Sequence, residues 1–333
     1  MSDVTMKDIA AAVGVSVVSV SNALAGRKGV SDDVRFRVEK AARELGYDMK
    51  KNEPNFQGMV IGVLVPEKYI TVGQSFYWAL YQRVAYEAAK SQSVTMLEIL
   101  TFSMEETEEM PKLLREKTIS GLIIIGWMTD SYVKKIVDAA QVPTVFLDFQ
   151  MKGVRCDAVM SSNYVGMYKV TRYLLERGHR DIAFVGSVGD NDNIMDRYYG
   201  YRKALMEAGI PERREWILED RDVQDGHVII EVPENMPTAF ACNSDWTAGL
   251  LYNELVKQGY RVPEDVSIVG YDNYLYDNSF AEQLTTYNVD MKQMAHQAVK
   301  LLRGKIRGAE RHWGTIYVDL SLIHISEPTR LQL

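Results

Sequence analysis

Near the start of the chain, Ser16, Val17, Val18, Ser21 and Asn22 form a short run whose side chains suit the floor of a DNA groove. Valine methyls meet thymine methyls, and a carboxamide pairs with an adenine edge. Val17, Val18 and Asn22 are therefore the expected base readers. Thr5, Ser16, Ser21, Arg27, Lys28 and Arg35 are of the types that hold a DNA backbone, which positions without specifying. A second set lies far downstream: Phe76, Tyr77, Trp127, Asp148, Arg197, Asn243, Asp245 and Asp272. Aromatic faces beside Asp, Asn and Arg suit a sugar, with flat rings against C–H faces and polar side chains taking hydroxyls; a nucleobase also fits.

Signals for catalysis are missing. His179, His227, His296, His312 and His324 are scattered without metal-ligand spacing. Gly186-Ser187-Val188-Gly189 is neither a dinucleotide fingerprint nor a phosphate loop. Asp190-Asn191-Asp192 lacks the downstream Gly and Glu of a calcium loop. The expectation is no enzyme, no cofactor and no metal.

The first set must be positioned by short helices. Thr5 and Asp8 have capping-box spacing, Ile9, Ala10 and Val13 share a face, and Gly14 stops the helix. Ser16 caps a second helix to Leu24, with Val20, Ala23 and Leu24 inward. Ser31 caps a third, whose apolar stripe is Val34, Val38, Ala41, Ala42 and Leu45, ended by Gly46. Two short helices across a tight glycine turn, closed by a third, make a helix-turn-helix. Charge adds little: residues 1–53 sum to +1 and the remainder to −8, within a net −7.

The second set must be positioned by strands. Apolar runs at Met59–Val65, Val94–Leu100, Gly121–Gly126, Pro143–Asp148, Ile182–Gly186, Thr238–Asn243 and Ser267–Asp272 alternate with helical stretches at Tyr77–Lys90, Tyr164–Arg177, Tyr199–Ala208 and Thr247–Gln258. That rhythm implies doubly wound parallel sheets, and about ten strands exceed one comfortable sheet. Ligands in such folds bind beyond the carboxyl ends of strands, here in a cleft between two lobes. The length of 333 residues suits several domains, and two cysteines, Cys156 and Cys242, suit a reduced cytoplasmic protein. No apolar run spans a bilayer, so no membrane is expected as a partner, and the N-terminus has no secretory signal.

Thr5-Met6-Lys7-Asp8-Ile9-Ala10, Gly14-Val15-Ser16, Val20-Ser21-Asn22-Ala23-Leu24 and Val30-Ser31 resemble the lactose-repressor (LacI/GalR) family. So do Gly178-His179-Arg180-Asp181-Ile182, Arg197 with Gly200-Tyr201, Arg261-Val262-Pro263-Glu264-Asp265, and Leu284-Thr285-Thr286. The resemblance implies an all-α helix-turn-helix headpiece (1–48) and an α/β two-lobed periplasmic-binding-protein-like body (58–320) crossed three times by the chain. It also implies a homodimer that reads a pseudo-palindromic double-stranded DNA operator, usually as a repressor, under a small-molecule effector, a sugar or its derivative. Phe76, Tyr77, Arg197, Asn243 and Asp272 match the family's effector positions. A solute-binding protein of a sugar transporter is the alternative that the body alone would fit. The family's hinge helix, which wedges a leucine into the minor groove, has no counterpart in the Pro54- and Gly58-containing segment, so a plain linker is expected over 49–57. Phe149, Ser162 and Ser244-Asp245 also depart from the family pattern. Residues 321–333 read as foreign sequence in place of the family's charged ending.

Overall fold

The computed structural model describes residues 4–24, 30–45, 47, 59–70, 75–221, 230–274, 280, 284–309, 314–319 and 322–323. The chain forms two compact units, Met1–Gly58 and Met59–Leu333.

The first unit contains α1 (Met6–Val13), α2 (Val17–Leu24) and α3 (Asp32–Glu44). The Asp8 carboxylate accepts from both the amide and the hydroxyl of Thr5, each at 2.7 Å, which closes the start of α1. Gly14 then takes a left-handed φ of 73°, open to glycine without a Cβ penalty. Ser16 Oγ accepts from the Ser19 amide at 3.0 Å and starts α2. Ile9, Val20 and Val38 are fully buried, with Ala10, Ala23, Ala42 and Tyr47 around them. Leu45 differs from its expected inward place and is 41% exposed. The Tyr47 amide donates to the Ala42 carbonyl at 2.8 Å, and this turn brings Tyr47 into the core after the helix ends. The expected stop at Gly46 and the linker 49–57 lie outside the described residues.

The body begins with lobe one: β1 (Met59–Pro66), α4 (Phe76–Lys90), β2 (Ser93–Leu100), α5 (Phe102–Glu106), α6 (Lys112–Arg115), β3 (Gly121–Ile125), α7 (Asp130–Ala139), β4 (Thr144–Leu147) and β5 (Asp157–Ser161). Lobe two follows with α8 (Asn163–Glu176), β6 (Ile182–Val185), α9 (Asp192–Glu207), β7 (Ile217–Leu218), β8 (Ala239–Cys242), α10 (Asp245–Lys257), β9 (Ser267–Asp272) and β10 (Thr285–Asn288). The chain returns to lobe one as α11 (Met291–Ile306) and β11 (Thr315–Val318), then to lobe two as β12 (Leu322–Ile323). Each lobe is a six-stranded sheet, in order β11-β5-β4-β3-β1-β2 and β12-β10-β9-β8-β6-β7. All described pairings are parallel except β10 with β12, which is antiparallel. The first residues of the segment taken as foreign thus have a place at a sheet edge, with Leu322 opposite Tyr287.

Three crossings join the lobes, after β5, β10 and β11. Two crossing helices change sides: α8 packs on β8, β9 and β10 of lobe two, and α11 packs on β3, β4 and β5 of lobe one. A buried ion pair of Lys305 with Asp157, at 2.7 Å, fastens α11 to β5. Strands β5 and β10 were absent from the expected runs. Their residues are short and mixed (DAVMS and TTYN), yet Asp157, Ser161, Thr285 and Thr286 are buried. Cys156 and Cys242 are both free thiols. No single described helix is long and apolar enough to cross a membrane.

Helices α8 and α9 approach closely at Gly200. A Cβ there would lie 2.2 Å from the Tyr164 carbonyl oxygen, a backbone atom that cannot rotate away. Gly200→Ala is expected to force the helices apart and destabilise the body by about 1–3 kcal/mol, read as a lowered urea midpoint.

Candidate functional site

The axes of α1 and α2 are bent by 103°, the geometry that lets one helix lie across a DNA backbone while the next enters the groove. On α2, Val18 is 69% and Val17 41% exposed, and neither belongs to the apolar core of the three helices. Asn22 and Ser21 are half-buried on the same helix, and Ser16 is exposed at its start. Thr5 is exposed but commits its hydroxyl to Asp8, and Arg35 is half-buried on α3. Arg27 and Lys28 lie outside the described residues. The structure thus groups Ser16, Val17, Val18, Ser21 and Asn22 on one short helix.

In the body, residues beyond the carboxyl ends of the strands converge between the lobes. Asp148 follows β4 with a left-handed φ of 65°, and Asp272 ends β9 at φ 109°. Such conformations are rare without glycine and mark sites that the surrounding structure holds under strain. From lobe one, the Tyr77 hydroxyl donates to Asp148 Oδ2 at 3.0 Å. From lobe two, the Asn193 carboxamide donates to Asp148 Oδ2 at 3.1 Å and to its carbonyl at 2.9 Å. Phe76 meets Tyr77 edge-on at 5.3 Å and Tyr274 of the opposite lobe at 6.1 Å.

Arg197, on the inner face of α9, is the centre of the arrangement. Its Nε donates to Asn163 Oδ1 at 2.8 Å, one terminal nitrogen donates to the Asn243 carbonyl at 2.6 Å, and the other lies 3.4 Å from Asp272 Oδ1. The guanidinium stands 4.0 Å from the centroid of the Tyr271 ring. Helix α9 starts at Asp192, earlier than the expected Tyr199, because Asn191 Oδ1 caps it by accepting from the Ile194 amide at 3.0 Å. Those two extra turns, roughly, are what place Asn193 and Arg197 on one rigid helix.

Burial raises the Asp148 carboxyl to about 6, against the pull of Arg197, Tyr77 and Asn193. Burial likewise lifts Asp272 to about 7, with Arg197 opposing and Asp148 adding to the rise. Both groups bind protons more tightly folded than unfolded. The stability they contribute is full below about pH 4 and is lost as the pH climbs through 6 to 7. Asp148→Asn is therefore expected to raise the Tm of the ligand-free protein most at pH 8 and to leave it nearly unchanged only below about pH 4; equal effects at both would refute the charge as the cause.

Three expected residues stand elsewhere. The Asn243 carboxamide turns inward and donates to the Val185 carbonyl at 3.1 Å and Asp220 Oδ2 at 2.6 Å, so only its main-chain carbonyl serves Arg197. Buried Asp245 accepts from the Thr286 hydroxyl at 2.6 Å and the Tyr274 amide at 3.1 Å, which ties the loop after β9. Trp127 lies under the ammonium of Lys68, 4.7 Å from its centroid, and donates its indole N–H to Asp130 at 3.2 Å.

Residues unforeseen from sequence complete the site. Asn163 and Asn193 are joined at 2.9 Å. Tyr69 stacks on Tyr77 at 4.3 Å. Asp220 accepts from the Ser187 amide, the Thr247 hydroxyl and Arg221; burial alone would raise its pKa, but Arg221 and these donors hold it below the usual carboxylate range. Arg221 also faces Asp190 at 3.4 Å. The signal for this pair was position alone, just past an apolar Ile217-Leu218. Among the described residues no cluster of His, Cys, Asp or Glu could hold a metal ion.

Comparison with known proteins follows the two units. Over 319 residues the chain is 27% identical to the HTH-type transcriptional repressor PurR of Vibrio parahaemolyticus, covering 92% of this chain and 93% of that one. The PurR of Erwinia tasmaniensis is 28% identical over 333 residues, covering 96% and 95%. Among solved structures, a transcriptional regulator CelR–cellobiose complex superposes with a TM-score of 0.66 at 24% identity, covering 97% of this chain and all of that one. A lac repressor dimer bound to operator and an anti-inducer gives 0.64 at 22% identity, covering 97% and 98%. Those two likenesses concern the fold. Residues 171–323 match the periplasmic binding protein-like domain, and residues 5–49 match the module of bacterial regulatory proteins of the lacI family. The chain thus joins a DNA-binding module of the lacI family of bacterial regulatory proteins to a two-sheet, periplasmic binding protein-like body.

Proposed function

We propose that this protein is a transcriptional repressor that binds a pseudo-palindromic operator as a homodimer and is controlled by a sugar or sugar derivative held between its lobes. The observation that carries this reading is the pairing, in one chain, of an apolar, exposed α2 surface at Val17 and Val18 with an enclosed polar site around Arg197 and Asp272. The headpiece supplies the base contacts and the cleft supplies the control. The reading assigns the body no catalytic step and places the protein in the cytoplasm, with its DNA. It disfavours a transporter's solute-binding protein, which has no use for α2.

A second copy has a place to sit. Strand β2 is a sheet edge among the described strands; it exposes Val94 and Met96 on one face and Ile99 on the other, and Tyr86 of α4 and Phe102 of α5 are exposed as well. An uncovered apolar edge invites pairing unless another surface protects it. Met96→Glu is expected to shift the sedimenting species from dimer to monomer at micromolar concentration. A dimer of unchanged stability would place the interface elsewhere.

Footprinting on the DNA upstream of the protein's own gene tests the main claim. Protection of a two-fold symmetric site, weakening as salt rises, is expected. No protection at any salt concentration would overturn the proposal.

A further inference from the structure

The cleft carries more acid than base. Buried Asp148 and largely buried Asp272 act on Arg197, and buried Asp245 stands beyond Asp272. Asp245 is occupied by Thr286 and the Tyr274 amide, which leaves Asp148 and Asp272 to share one guanidinium. Arg197 is itself largely committed, to Asn163 and the Asn243 carbonyl. Asp272 Oδ1 accepts no hydrogen bond among the described residues and lies 3.4 Å from Arg197, while 13% of the side chain stays exposed to a ligand. An ionised oxygen so placed lacks the donors that water would give it.

Among the described residues, Arg221 also acts on Asp272, but from a distance and with its own acids to serve. Arg221 is held by Asp220 and Asp190. Lys68 lies over the rings of Trp127 and Tyr69, where Glu105 and Asp190 are its acidic neighbours. Phe149, directly after Asp148, turns into the lobe-one core against Phe146 at 4.5 Å and adds no charge. Among the described residues, Tyr69, Phe76, Tyr77 and Tyr274 form a linked set of aromatic rings beside Asp148.

We propose that the effector is cationic, an amine-bearing sugar whose ammonium meets Asp272 and Asp148 beside these aromatic rings. The inference rests on the reading of the cleft as the effector site. An ammonium brings donors only, so it supplies what Asp272 lacks, and charge-assisted hydrogen bonds are about twice as strong as neutral ones. The faces of tyrosine and phenylalanine rings favour a cation as well. A sugar phosphate or a uronate would add negative charge to an acidic, buried site and is excluded.

The test uses the full-length protein and matched probes in the glucose, galactose and mannose series: the parent hexose, its 2-amino form and its 6-phosphate. Calorimetry is expected to find one amino sugar that binds at least about tenfold tighter than its parent, with no binding of the phosphates. Asp272→Asn is expected to erase the preference, so that amine and parent bind alike, and Asp148→Asn is expected to reduce it. Tightest binding by a parent hexose or a phosphate overturns the inference, as does the absence of binding by every amine. Operator footprinting on the same preparation reports separately on the DNA-binding proposal, which survives either result.

Discussion

Arg197→Ala is expected to abolish every effector-induced change in the protein and to destabilise its body by about 3–5 kcal/mol, because removing one partner of a buried ion pair strands the other. The stranded group is Asp272, whose Oδ1 has no hydrogen-bond donor among the described residues. The Asn163 side chain and the Asn243 carbonyl lose a donor in the same step. Arg197→Lys does not restore them, since one ammonium cannot reproduce a planar fork that reaches three acceptors in three directions. The headpiece is a separate compact unit with its own core. Operator binding without effector is therefore expected to persist in the variant, below the melting temperature of the body. Differential scanning calorimetry and operator binding with and without effector check the two halves. A folded Arg197→Ala protein that still responds to effector would remove Arg197 from the centre of the site.

The second large effect belongs to α2. Asn22→Ala is expected to weaken operator binding about 10- to 100-fold, as for loss of one bidentate base contact, and to relax preference at a single base pair in each half-site. Replacement of Val18 by Ser removes methyl contacts and is expected to cost affinity for sites with thymine at one position, while binding to random DNA stays unchanged. Competition binding against operators altered one base pair at a time separates these outcomes. A uniform loss over all sequences would instead assign Asn22 to the backbone.

Much of this was visible in residue order, for identifiable reasons. Capping residues act locally, so Thr5, Asp8, Gly14 and Ser16 mark α1 and α2 with no need of distant contacts. Strand β1 is apolar almost throughout because both its faces are covered, and it reads directly as a buried parallel strand. Asp148 and Asp272 stand out because polar residues follow apolar runs at the ends where ligands bind, and Arg197 stands out only through the resemblance it carries with Gly200-Tyr201.

What escaped depends on long-range partners. Asn243 looked like a ligand contact, but the buried Asp220 claims its amide from 23 residues away in sequence. Trp127 looked like a stacking platform, but Lys68 from another loop covers it. Strand β5 is held by Lys305, which comes from a helix nearly 150 residues later. Leu45 kept the helical period yet lost its place in the core to Tyr47, two residues past the point where the period stops applying.

The side-changing helices have a consequence for the making of the protein. During synthesis the ribosome releases β1 to β5 long before α11 and β11, the helix that covers β3 to β5 and the strand that completes the sheet beside β5. Lobe two, by contrast, has all but its two-residue edge strand once β10 has emerged. The half of the body made first is thus the half that waits longest for its cover. Until residues 291–318 emerge, a nascent chain carries an apolar sheet face and an open edge at β5, the kind of surface that chaperones bind and that aggregates when translation stalls.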